Sequence, residues 1–163
     1  MIRKNKKSFD PDLNKQADMP AKQTAVSFFS QTLNWTLPVP LDEQPEMYKA
    51  WDFVMASPNG KQIEIEVERL FCWTAMDRFQ WNEAHLLSRK FTTKAKLFFQ
   101  TNAKMNLCWV LPVEQLLTYP IETRSTFYTR GELMRIIPAD HLPLFARDES
   151  AQWRQIKKGK LTP

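Results

Sequence analysis

Four carboxylates have the types and spacing to act together. In Lys61-Gln62-Ile63-Glu64-Ile65-Glu66-Val67-Glu68 the acids alternate strictly with β-branched apolar residues, so an extended chain projects Glu64, Glu66 and Glu68 from one face. Like charges at successive same-face positions repel unless a cation or a basic partner neutralises them. Asp52 precedes this run by one short strand and a turn. Clustered carboxylate oxygens are the ligands that hold Mg2+ or Mn2+, ions that polarise a phosphate ester and lower the pKa of an attacking water. Asp52, Glu64 and Glu66 are therefore candidate metal ligands and candidate catalytic residues. The competing reading is a solvated strand face with Asp52 as a cap, leaving Glu68 to pair with a nearby Arg or Lys.

The acids meet only if two strands run alongside one another. Trp51-Asp52-Phe53-Val54-Met55 and the run from Lys61 flank Ser57-Pro58-Asn59-Gly60, so a β-hairpin is expected, with Asp52 near its open end. Upstream, the spacing predicts an amphipathic helix from Pro20, with Ala25, Phe28, Phe29, Leu33 and Trp35 on one stripe, stopped by Leu37-Pro38-Val39-Pro40. Downstream, Asn82 to Lys90 reads as either a short helix or an extended segment. Lys96 to Asn102 and Leu107 to Leu111 read as antiparallel strands about Ala103-Lys104-Met105-Asn106, and Pro112 to Tyr119 as a short helix. Ser125 to Arg130 and Glu132 to Pro138 suggest strands around Gly131, and Ala139 to Phe145 ends the packed body. This order points to an α/β or α+β fold around a mixed sheet. One domain is expected: a flexible basic arm over 1–19, a core over 20–147 and a basic C-terminal tail over 148–163.

Composition narrows the function. With 163 residues, 43% hydrophobic and 25% charged, the chain has a globular balance, and no apolar run reaches the roughly 20 residues that span a bilayer. The basic N-terminus is followed by polar Phe9-Asp10-Pro11-Asp12 instead of an apolar core, so no secretory leader or membrane attachment is expected. Cys72 and Cys108, each among apolar neighbours, read as small buried residues and not as a disulfide, which suits the cytoplasm. Three glycines leave no Gly-rich loop for a nucleotide phosphate. The net charge of +5 gathers at the termini and in Arg89, Lys90, Lys94, Lys96 and Lys104, which favours a polyanion, although short basic tails are also commonly disordered. Trp73, Phe79, Trp81 and Phe91 surround that run and serve either as core or as stacking platforms for bases. His85 is a candidate proton acceptor or a plain surface residue.

The hairpin, the Arg89-Lys90 pair and the strand pair that follows resemble the PD-(D/E)xK superfamily, the restriction-endonuclease-like nucleases. Asp52 matches that family's Asp and Glu64 its Asp/Glu, while Glu66 stands at the Lys position and Trp51 at the Pro. The resemblance implies a central mixed four- to five-stranded sheet flanked by helices, and Mg2+- or Mn2+-dependent cleavage of nucleic acid, DNA ahead of RNA. Asp52, Glu64 and Glu66 would then be the metal and catalytic residues. Lys90 would replace the family's Lys as charge stabiliser, with Arg89, Lys90, Lys94 and Lys96 binding the nucleic acid. With the motif Lys displaced, the alternative is an inactive domain of the same fold that binds nucleic acid or a protein partner, including a second copy.

Overall fold

The computed structural model describes residues 11–45, 51–88, 94–125 and 130–160, with side chains from residue 18 onward. The chain is α+β. Helix α1 spans Pro11–Leu33, and the strands are β1 (Phe53–Ala56), β2 (Gln62–Leu70), β3 (Glu83–Leu87), β4 (Leu97–Asn102), β5 (Leu107–Pro112), β6 (Ile121–Arg124), β7 (Glu132–Pro138), β8 (Leu144–Arg147) and β9 (Trp153–Lys157). A one-turn helix α2, Val113–Leu116, follows β5 directly. They form a six-stranded sheet of order β1-β2-β4-β5-β8-β9 and a three-stranded sheet of order β3-β7-β6. Among the described strands only the β2–β4 pair is parallel.

The expected sheet of four or five strands flanked by helices is thus corrected to six strands, with one long helix on one face and a second sheet on the other. Strand alternation explains the two covers. Ala25, Phe28 and Phe29 of α1 bury against Phe53, Met55, Ile65, Phe99, Cys108 and Trp153. The next residues along the same strands, Phe98, Trp109, Leu111 and Leu144, turn the opposite way and bury against Ala84, Leu86 and Ile137 of the second sheet. Phe28 meets Phe29, Phe145 and Trp153 edge-on at 4.8 to 5.5 Å, the arrangement aromatic quadrupoles favour, worth about 0.5–1.5 kcal/mol per pair beyond burial.

Several boundaries differ from expectation. The helix begins nine residues before Pro20, which lies inside it and leaves one backbone bond unmade, so 11–19 are helical. Leu33 is exposed because Asn34, with φ of 55°, turns the chain away, whereas Trp35 stacks on Phe29 at 5.1 Å. Of the segment Asn82 to Lys90, the described part is extended chain through β3, and Arg89 and Lys90 lie outside the described residues. The packed body does not end at Phe145, since β8 and β9 extend the large sheet through the presumed tail. β9 also locks onto α1: Trp153 N–H and indole N–H donate to Gln31 Oε1 (3.1 Å) and Ser27 Oγ (3.3 Å). Lys157 and Lys160 are likewise tied down, to Ala139 O at 2.8 Å and Asp140 Oδ2 at 2.6 Å. Cys108 is buried as expected, but Cys72 is exposed, because the loop after β2 turns Trp73 and Phe79 inward and leaves Cys72 at the surface. Among the described residues no helix is long and apolar enough to cross a membrane.

Candidate functional site

The acidic run lies on β2 as expected, and the turn that places it is well made. Ser57 N–H donates to Lys61 O at 2.9 Å and Gly60 N–H to Ser57 O at 2.8 Å, with Gly60 at φ +82°, a conformation costly for any residue with a Cβ. The resulting register pairs Val54 with Glu64 and Phe53 with Ile65. At Asp52 the regular ladder stops. Its N–H donates to Ile65 O (2.9 Å), and its carboxylate Oδ2 accepts the Val67 N–H (2.6 Å). Asp52 is thereby fastened to the two residues that flank Glu66. Its side chain does what a further residue of β1 would have done, satisfying a strand N–H, and it brings the Asp52 carboxylate to the backbone beside Glu66. Glu64 lies two residues nearer the turn, opposite Val54.

The acids are not on a freely solvated face. Glu64, Glu66 and Glu68 are half-buried, and the parallel register sets Glu66 beside Phe98 and Glu68 beside Gln100, on the side covered by the second sheet. Gln100, 1% exposed, donates from Nε2 to Glu68 Oε1 at 2.9 Å and accepts the Trp109 indole N–H at Oε1 at 2.8 Å. An indole nitrogen only donates, so the amide can be oriented one way alone, with its NH2 toward Glu68. The chain Trp109–Gln100–Glu68 therefore anchors one carboxylate to the core. Sequence reasoning missed Gln100, whose signal was a lone amide inside the apolar strand Leu97-Phe98-Phe99.

Among the described residues no three His, Cys, Asp or Glu side chains come together as a metal-holding group. Mg2+ commonly takes only one or two protein carboxylates and completes its shell with water and phosphate oxygens, so a pair of acids would be enough to hold that ion.

Of the basic residues, Lys94 and Lys96 are exposed, and Lys96 N–H donates to Glu64 O at 2.8 Å, which sets its backbone against the acidic strand. Arg89 and Lys90, as well as Phe91, lie outside the described residues. Trp73 and Phe79 are buried and belong to the core, with the Trp73 indole donating to Arg78 O at 2.9 Å. Trp81 is at the surface, edge-on to Phe79, and the exposed Phe71 ring carries the Arg69 guanidinium at 4.5 Å. His85 sits on β3 and bonds Glu83 at 2.7 Å. That bond, helped by Arg124, holds the Glu83 carboxyl below its ordinary range. Compared with protein-family models, curated proteins and solved structures, the chain matches none.

Proposed function

We propose that the protein is a divalent-cation-dependent nuclease of the restriction-endonuclease type, with Asp52 and Glu66 as the acids that hold Mg2+ or Mn2+. The observation that carries this reading is the fastening of Asp52 to both neighbours of Glu66, which makes one unit of an acid before β1 and an acid within β2. The paired acid is then Glu66 instead of Glu64, and the position two residues on, where the family carries Lys, is Glu68. When bound, the cation would polarise the phosphate and supply a more acidic water. The chain's own residues hold the carboxylates: Val67 N–H restrains Asp52, and Gln100 restrains Glu68. Arg89, Lys90, Lys94 and Lys96 are assigned to the phosphate backbone, with Lys90 or Lys96 offsetting the charge that develops on the scissile group.

A second reading, nucleic-acid binding without cleavage, is favoured by the same bond, because an Asp52 carboxylate that completes a strand ladder has a structural reason to be there. Asp52→Asn separates the two. Asn Oδ1 can still accept the Val67 N–H, so the ladder survives while the charge is lost. Single- and double-stranded DNA and RNA incubated with Mg2+ or Mn2+ should be cut by the native chain. Cutting should fall by more than about 100-fold in Asp52→Asn and Glu66→Gln without a change in thermal midpoint, since loss of even an outer-shell partner of a metal ligand costs roughly 10- to 100-fold. Cleavage by neither metal on any substrate, with salt-sensitive binding that persists in EDTA, would overturn the nuclease and leave the binding module.

A further inference from the structure

We propose that the free edge of β6 pairs with the same edge of a second copy of this chain, antiparallel across a two-fold axis at Thr123. β6 is an outer strand of the three-stranded sheet, and no other described strand flanks it. Ile136 N–H donates to Pro120 O at 3.0 Å, in step with the pairing of Ile121 with Arg135. Because antiparallel ladders alternate, the backbone groups of Glu122 and Arg124 face β7, and those of Ile121, Thr123 and Ser125 face outward.

Those outward positions fix the register of a symmetric pair. If Thr123 bonds Thr123 of the second copy, Ile121 pairs with Ser125, and Glu122 lands opposite Arg124 twice, at the closer, non-hydrogen-bonded positions, so that the ion pairs Arg124 makes within its own chain, to Glu122 at 2.6 Å and Glu83 at 3.4 Å, extend across the axis into one alternating network. The pattern is self-complementary, as an isologous contact requires. Large apolar residues border the same edge. Ile121 (47% exposed) and Leu133 (56%) share the face of Thr123, and Leu117 (46%) lies beside them, because Arg135, opposite Ile121, donates to Leu117 O at 3.0 Å. The edge of β1, by contrast, is covered. Thr36 bridges Ala56 on β1 through bonds of 3.0 and 2.8 Å, and the Gln44 amide clamps both backbone groups of Val54 at 2.8 and 3.0 Å. An open, apolar-bordered edge is the surface that natural sheets otherwise protect. Pairing would join two three-stranded sheets into one of six strands and close the assembly at two copies.

The test is molar mass by light scattering and sedimentation over a concentration series, on the full chain and three variants. Thr123→Pro removes only an outward N–H, so the β6–β7 ladder is kept while edge pairing is blocked. Glu122→Arg and Arg124→Glu each place like charges across the axis, yet mixed together they restore opposite charges. The native chain should be dimeric, each variant monomeric with native circular dichroism, and the mixture of the two charge variants dimeric. A monomeric native chain, a dimeric Thr123→Pro variant or a mixture that stays monomeric would each overturn the proposal.

Discussion

Replacing Gln100 by Leu tests whether the Trp109–Gln100–Glu68 chain anchors the acidic strand. Both partners lose something definite. The Trp109 indole N–H, at 0% exposure, is left with no acceptor, which costs about 1–3 kcal/mol, and the bond to the Glu68 carboxylate, of the charged kind worth about 1.5–3 kcal/mol, disappears. Leu buries more apolar surface than Gln and returns on the order of 1 kcal/mol. The net expectation is about 2–4 kcal/mol of lost stability. Trp109→Phe removes the donor instead, stranding Gln100 Oε1 and opening space beside Phe98, for a similar loss of about 2–4 kcal/mol. In the double variant neither group is orphaned, so its loss should fall short of the sum by about 1–3 kcal/mol. Urea unfolding followed by far-ultraviolet circular dichroism measures all three, independently of the fluorescence that the Trp substitution alters. Additivity within roughly 0.5 kcal/mol would show that the two residues do not share an interaction and would refute the anchoring argument.

Three further outcomes are expected. Lys160 bonds Asp140 and holds its carboxyl below the ordinary 3.8, so the contact is intact above that value and is lost as pH falls through the lower folded value. Asp140→Asn should lower the protection of the Lys160 amide against exchange at neutral pH and abolish its further loss at acid pH, and an unchanged loss of protection at acid pH would contradict this. Gly159→Ala would drive a Cβ into the His141 carbonyl and against Pro143 N, so thermal melting should report a loss of about 1–3 kcal/mol; an unchanged midpoint would show that the 158–160 segment yields freely. Burial pushes the Cys108 thiol up while Cys72 is exposed, so a thiol reagent should titrate one group in the native chain and none in Cys72→Ser. Two fast thiols would contradict the packing of β5 against α1.

Where local pattern decides structure, the sequence was readable. The β1–β2 hairpin has both its alternation and its turn residues within one continuous stretch, Phe53 to Leu70, and β4 and β5 are apolar runs about a four-residue turn, so each follows from neighbours in the chain. The buried stripe of Ala25, Phe28 and Phe29 follows from helical spacing. Sheet membership does not. That β3, β6 and β7 leave the large sheet to cover it depends on pairings between distant residues, such as Leu86 with Arg135. β9 was hidden because an outer strand buries few residues: only Trp153 is buried, and Arg154, Ile156 and Lys157 read as tail. At the site, alternation put three acids on one face, but which acid Asp52 adjoins depends on an irregularity just beyond β1 that no periodicity announces. Gln100 was silent because a buried amide is legible only with its two partners in view.

The lock between α1 and β9 has a consequence for how the chain is made. Gln31 and Trp153 stand 122 positions apart, so at about 5–20 residues per second α1 waits roughly 6–25 s on the ribosome before the strand that covers its Phe28 side is synthesised. During that interval Phe28 and Phe29 have only part of their native cover. A ribosome-stalled chain ending before Trp153 should therefore be cut by protease within α1 where the released chain resists.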